Sequence, residues 1–568
     1  MILMLANSAA EVLSLAALLP FLTLLANPEG LWNKPLVQQW APRVGISNAD
    51  SLILPFTVMF IFTVLVAGVV RLLNLWLNGR LASAIGSDLS CEAYRRTLYQ
   101  PYANHLASNS SDLIASISTD TPIVVSQIIN PLLLSLSSGL TAVSIVITLI
   151  MINWKVFLAV VLIITLVYAL AVIVSHASLK KIGERQVILN RSYIKILQEG
   201  LGAIRDVLLA NQQIFYANTY KDVDLPLRRL QTDKAFLNAF PRQVIEPVGL
   251  ALIATIGYFL FLERENAVTN ALPILGALGL GAQRLLPMVQ RIYEGWAQTH
   301  NAKESLVNVL QMLSYPLPSI GQFTQPNPLR FKQNIQFENV RFSYDSQLPE
   351  VLRGLTLQIR CGERVGLIGS TGSGKSTTLD ILMGLLVPTS GRILIDGNNL
   401  HESGFSNYHL RAWQATIAHV PQTIYMADSS IAENIAFGLP YAEIDMAQVH
   451  RAAQLAQIAS FIESQPHDYH TFVGERGIRL SGGQRQRIGI ARALYKHAQV
   501  LIFDEATSAL DTTTEMELNK AIESLSKDLT IITIAHRLST IQKCDRVFRL
   551  EKGIVVFEGH PEDILDGR

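Results

Sequence analysis

The sequence predicts two folds in one chain: an α-helical membrane domain of six spans, fused to a cytosolic α/β domain built around a phosphate loop. Three observations carry this. Only 16% of residues are charged, against about 25% in a soluble domain, while 49% are hydrophobic. The apolar excess is confined to the part before about residue 313. Beyond it, a short hydrophobic run leads straight into a glycine-rich loop.

Composition also excludes whole classes. At about 150 residues per domain, a chain of 568 residues holds several domains. Its hydrophobic content rules out intrinsic disorder. With 46 Lys and Arg against 45 Asp and Glu, the net charge is +1, so no basic field exists to attract nucleic acid. Cys91, Cys361 and Cys544 are too scattered for a disulfide framework or a zinc site, and they suit a reducing cytosol.

From Thr121 to Trp154 there is no Asp, Glu, Lys or Arg, and after Lys155 the next charge is Lys180. Two spans fit there, joined by a turn at Asn153–Trp154, as a helical hairpin across a bilayer. Ile2–Leu25, Leu52–Leu77, Val244–Leu262 and Ala271–Val289 bring the expected total to six. The last holds Gly276, Gly279 and Gly281, which permit close helix approach. The first is read as a span rather than a signal peptide, because it lacks a basic start and carries Glu11 and Pro20. From Arg80 to Lys234 the connections after spans two and four hold thirteen basic residues, against four on the opposite side. That asymmetry places the long loops, both termini and the C-terminal domain in the cytosol.

The expected domains are residues 1–313 in the membrane, a linker over 314–334 with Pro316, Pro318, Pro326 and Pro328, and an α/β domain over 335–568. Arg364–Ile368 reads as a strand that feeds Gly369, Ser370, Thr371, Gly372, Ser373, Gly374, Lys375 and Ser376, the GxxxxGK[ST] loop, followed by Thr377 at the start of a helix. Its backbone N–H groups and helix N-terminus suit phosphate oxygens. Lys375 supplies a charge to the β- and γ-phosphates, and Ser376 a hydroxyl for Mg²⁺. A second hydrophobic strand, Val500–Phe503, ends in Asp504, a candidate ligand of the Mg²⁺ shell, and Glu505, a candidate general base. Leu480, Ser481, Gly482, Gly483 and Gln484 open another helix, a second phosphate-binding N-terminus. One γ-phosphate does not need both. Two chains set head to tail do.

This constellation resembles the ATP-binding-cassette family across 335–568, with ATP and Mg²⁺ as its cofactors. The resemblance implies that Tyr344 stacks on adenine and that Gln422 joins the Mg²⁺ shell and couples it to the membrane domain. It implies that Ser508–Asp511 touches a partner subunit, that His536 senses the γ-phosphate as a catalytic residue, and that Val473–Gly477 meets the partner's membrane loops. Six spans followed by one cassette resemble an exporter half-transporter, working as a homodimer in a bacterial inner membrane. Coupling helices are then expected near His105–Ile114 and Gly200–Leu209. Such exporters normally carry an amphipathic elbow helix before span one; this sequence starts inside that span, either because its start is misassigned or because the helix is absent, and the two alternatives stay open.

Substrate is read from charges inside spans, which are costly and therefore functional candidates. They are Arg71, Glu246, Arg284 and Arg291. Glu246 is expected either to pair with an arginine or to leave the guanidiniums facing a phosphate-bearing head group. The stretches Leu19–Leu24, Phe240–Glu246 and Gln283–Met288 resemble bacterial flippases of lipid-linked oligosaccharides. The expected activity is therefore ATP-driven export of a polyprenyl-diphosphate-linked oligosaccharide, with membrane lipids as further partners. A lipid or multidrug exporter and a nucleotide-gated channel or regulatory membrane ATPase are the alternatives.

Overall fold

Long helices build the first part of the chain because its apolar runs are uninterrupted over lengths that only a helix can satisfy in lipid. The computed structural model describes residues 1–26, 28–32, 38, 48–262, 267–317, 326–345, 347–401, 407–505, 516, 529–534 and 541–565. It forms two units: Met1–Gln100 with Ser108–Pro316, and Pro101–Ala107 with Leu317–Arg568.

The first unit is helical. Its long members are α1 (Ile2–Ala26), α2 (Ile53–Leu98), α3 (Asn130–Gly202), α4 (Gln213–Leu262) and α5 (Ala267–Asn301). Helices run through all six expected spans. Among the described residues, three stretches meet the length and hydropathy needed to cross a bilayer, within Ile2–Leu25, Ala49–Leu98 and Ser110–Met151.

The helical stretch α3, 73 residues long, runs through the turn expected at Asn153–Trp154. The chain nevertheless doubles back. Ser135 donates to the Arg291 carbonyl at 3.2 Å, and Tyr293, two residues on, donates to Ser175 at 3.1 Å. A straight helix would hold Ser135 and Ser175 about 60 Å apart. Both arms of α3 therefore pack on one end of α5, with the reversal midway, near residue 155.

Polar side chains in these helices turn inward and find one another, as lipid requires. Asn7 donates to Thr141 at 3.2 Å, and Asn74 donates to Ser137 at 2.8 Å. Before α3, two π-turns at Ser116–Asp120 and Val125–Ile129 re-aim the chain. Asp120 accepts from Ser305 and Asn308, both at 2.8 Å. In the region of the expected coupling segments lie three short helices. Tyr102–Ala107 belongs to the second unit, and Ser110–Ala115 and Ile204–Leu209 to the first.

The second unit has two sheets. The larger runs β10-β9-β3-β8-β7-β6, with β3 (Arg364–Ile368), β6 (Ile417–Val420), β7 (Val500–Asp504), β8 (Thr530–Ile534) and β9 (Arg546–Glu551) parallel, and β10 (Ile554–Gly559) antiparallel at its edge. Its inner strands are near-continuous buried Val, Leu and Ile, as a sheet covered on both faces demands. The smaller sheet is antiparallel, in the order β2 (Leu352–Arg360), β1 (Asn334–Phe342), β4 (Ser390–Ile395) and β5 (Asn398–Asn399), and was not anticipated. Its strand Leu352–Arg360 alternates buried with exposed residues, the pattern of a one-sided sheet. Trp413, fully buried, anchors the core and satisfies its indole by donating to the Leu382 carbonyl at 2.7 Å.

Candidate nucleotide site and intramembrane charge cluster

β3 ends at Ile368, and the chain must turn sharply to start the helix α6 (Lys375–Leu382). Gly369, Gly372 and Gly374 make the turn at φ of 148°, 81° and 102°, where a side chain would be strained. A Cβ on Gly369 would also lie 2.2 Å from the Leu550 carbonyl. The loop is thus closed to any other residue at these points.

One cavity of about 680 Å³ gathers Tyr344, Gly374, Lys375, Ser376, Gln422 and Glu505, with Thr371, Gly372 and Thr377 also on its wall. Lys375 is buried and donates to the carbonyls of Gly369 at 2.9 Å and Ser370 at 3.0 Å. Burial lowers its pKa, opposed by Glu505 and Asp504 nearby. Ser373 keeps a buried hydroxyl with no partner, an unused donor within the loop. The Tyr344 hydroxyl shares a hydrogen bond of 3.1 Å with Thr377, and its ring stands edge-on to Phe342 at 5.0 Å.

Glu505 sits at φ 50°, a left-handed conformation that costs a non-glycine residue about 1–3 kcal/mol. Its carboxylate accepts from Gln422 Nε2 at 2.8 Å. Gln422, expected in the metal shell, is therefore engaged with the candidate base. Ser376, Asp504 and Gln422 fit Mg²⁺ carried in by a nucleotide, because magnesium keeps waters and phosphate oxygens and needs only one or two protein carboxylates.

The Ser481–Gln484 motif is placed elsewhere. Ser481 caps the helix α7 (Gly482–Tyr495): its hydroxyl accepts from Gln484 N at 3.2 Å, and Gln484 Oε1 accepts from Ser481 N at 2.7 Å. Ser481 and Gly482 are exposed, and no residue of the motif lines the phosphate-loop cavity. Arg476, inside Val473–Gly477, has φ 52° between two positive-φ glycines. His536 and Ser508–Asp511 lie outside the described residues.

In the first unit the candidate substrate residues separate. Arg284 does not pair with Glu246, which is exposed. It pairs with Glu11: Nη1 lies 2.9 Å from Glu11 Oε2, donates to the Glu11 carbonyl at 3.3 Å, and meets the Ser14 hydroxyl. Arg71 approaches the same carboxylate at 3.5 Å. The expected pairing fails because partner choice is set by helix packing: α1 lies against both α2 and α5, which brings Glu11 to the arginines. Arg291 has no ion-pair partner among the described residues. Glu11 was missed as a site residue, although a lone carboxylate in an apolar helix was itself the signal.

Two family models match this chain, the ABC transporter at residues 352–508 and the ABC transporter transmembrane region at residues 30–277. The ATP-dependent lipid A-core flippase of Alcanivorax borkumensis is 30% identical over 526 residues, covering 92% of this chain and 88% of that one. The protein of the same name from Chromohalobacter salexigens is 29% identical over 530 residues, covering 92% and 88%. The structure of a bacterial Atm1-family ABC exporter with ATP bound superposes with a TM-score of 0.77 at 23% identity, covering 99% of this chain and 96% of that one. That likeness establishes the exporter fold. Phosphate loop, paired carboxylates and membrane helices thus occur together in one chain that belongs to the ABC transporter family, as a half-transporter whose ATPase domain makes it an ATP-dependent translocase.

Proposed function

We propose that two copies of this chain form a homodimer in a bacterial inner membrane, with the cassettes in the cytoplasm, and flip an amphiphilic lipid with a phosphate-bearing head group. The observation that carries the substrate class is the 30% identity, over nine-tenths of the chain, to a protein named as a lipid A-core flippase. The finer reading is a polyprenyl-diphosphate-linked oligosaccharide, which shares with that relative an apolar tail and an anionic, sugar-bearing head.

Head-to-tail cassettes account for the separation of Ser481 from its own phosphate loop. In that arrangement Lys375 and the loop N–H groups bind the phosphates, Glu505 takes a proton from the attacking water, and Ser481–Gln484 of the second copy closes the site. When bound, Mg²⁺ neutralises phosphate charge, and Ser376, Asp504 and Gln422 would hold it. His536 is assigned to the γ-phosphate, and Tyr344 to the adenine. Closure favoured by ATP then shifts the membrane helices between two facing states.

Proteoliposomes test the substrate, with a lipid A-core glycolipid, a polyprenyl-diphosphate oligosaccharide and a zwitterionic phospholipid as separate arms. ATP-dependent flipping of either anionic lipid is expected, and flipping of the phospholipid alone would overturn the reading. Mixed dimers test the composite sites. Ser481→Arg and Lys375→Ala should each silence a homodimer. Paired, they leave one intact site and one with both lesions, so about half of the nucleotide binding returns. No binding in mixed dimers would disprove the head-to-tail arrangement.

A further inference from the structure

Two guanidiniums from different helices share one carboxylate inside the first unit. Glu11 is nearly inaccessible, with 3% of its side chain exposed, whereas Arg284 is 27% and Arg71 55% exposed. Arg284 engages Glu11 and Ser14 through Nη1 alone, one end of a guanidinium that carries five N–H donors. Arg71 meets the carboxylate at 3.5 Å and keeps half of its surface open. The charges do not cancel: one carboxylate against two arginines leaves +1. A cavity of about 250 Å³ opens beside the cluster, lined by Leu15, Leu18, Phe60, Val64, Leu65 and Arg284. Its apolar walls keep the effective dielectric low, so each charge weighs more there than at a wet surface.

We propose that Glu11 is a specificity-determining residue that holds the positive charge of this cluster down. It thereby selects a lipid whose head group carries one or two negative charges, such as a phosphodiester or a diphosphate, over a multiply phosphorylated one. The proposal rests on the lipid-flippase reading above and adds the head-group charge. Glu11 acts through the arginines: its carboxylate holds Arg284 Nη1 and offsets one of the two positive charges beside the cavity that Arg284 lines. Removing that negative charge raises the cluster to +2 and releases Arg284. A more negative head group then gains more than a less negative one, by Coulomb attraction across a few ångströms.

The experiment compares flipping rates of a polyprenyl-diphosphate sugar, a multiply phosphorylated glycolipid and a zwitterionic phospholipid in proteoliposomes. Glu11→Gln keeps the shape and an acceptor for Arg284 while removing the charge. It should move the rate ratio on the order of tenfold toward the multiply phosphorylated lipid. Glu11→Gln/Arg71→Gln restores +1 and should return the wild-type ratio, which a purely structural role for Glu11 would not do. Arg71→Gln alone, at net zero, should move the ratio the opposite way, and it decides the matter if Glu11→Gln fails to assemble. Anionic flipping with an unchanged ratio in Glu11→Gln, or in Arg71→Gln where that variant must stand in, overturns the role of Glu11 alone. Wild-type flipping of the zwitterionic lipid alone would remove the lipid-anion reading and this role with it.

Discussion

The phosphate-loop cavity and the Glu11–Arg284–Arg71 cluster both bring charge into a shielded place, by opposite routes. In the cavity, Lys375 and the glycine turn come from seven consecutive residues, and the loop's own carbonyls hold the lysine. In the membrane helices, Glu11 and Arg284 are 273 residues apart, and the fold alone brings them together. The first arrangement is a property of a segment, the second of a packing. Chemistry that must act on any bound nucleotide is encoded locally, while charge that must suit one particular cargo is set by which helices meet.

The largest effect should come from the local site. Glu505→Gln preserves shape and hydrogen bonding to Gln422 but cannot accept a proton. ATP turnover should fall by about 10²–10⁴ while nucleotide binding persists, measured by phosphate release beside equilibrium binding. Turnover near wild type would take Glu505 out of the base role and leave its left-handed backbone without a chemical purpose.

The next effect tests the packed site. Glu11→Ala strands two guanidiniums without their carboxylate, and removing one partner of a buried pair costs about 3–5 kcal/mol. We expect a lower unfolding midpoint in detergent, with partial recovery in Glu11→Ala/Arg284→Ala, where the orphaned charge is gone as well. An unchanged midpoint in the single variant would mean that solvent, not Glu11, compensates Arg284.

How much was legible in advance follows the same division. The strand–loop–helix around Gly369–Ser376, the paired Asp504 and Glu505, and the capping pair Ser481 and Gln484 announce themselves within a few residues, because each meets a local backbone demand. The parallel sheet was legible from its continuous apolar strands. The antiparallel sheet was not, since its pairing joins strands separated by loops of varied length. The reversal near Asn153–Trp154 was legible from the charge pattern, although neither Gly nor Pro marks it. The partner of Arg284 was beyond reach for a different reason. Glu246 looked suitable by sequence, but which carboxylate reaches Arg284 is set by the packing of α1 against α5, and no local pattern announces that packing.

The smallest effect concerns a carboxyl with no such partner. Asp380, on α6 behind the phosphate loop, has no ion pair among the described residues. Burial, aided by the negative charge of Asp504, raises its pKa from 3.8 to about 6. A raised carboxyl binds its proton more tightly in the folded state, so stability falls as pH climbs from 3.8 through about 6 and the penalty is complete above that. The full shift would correspond to about 3 kcal/mol, and partial solvent access brings this to roughly 1–2 kcal/mol. Asp380→Asn should therefore stabilise the protein by that amount at pH 7.5 and by almost nothing near pH 4, read from unfolding midpoints at both values. A second readout checks the electrostatics. The Tyr102 phenol is raised by burial first and then by Asp380 and Tyr344, so removing the carboxylate should lower it, measured by its ultraviolet titration. A gain that persists at pH 4 would assign the effect to packing of the amide instead of to the buried charge, and the contrast with Glu11 would then rest on the membrane cluster alone.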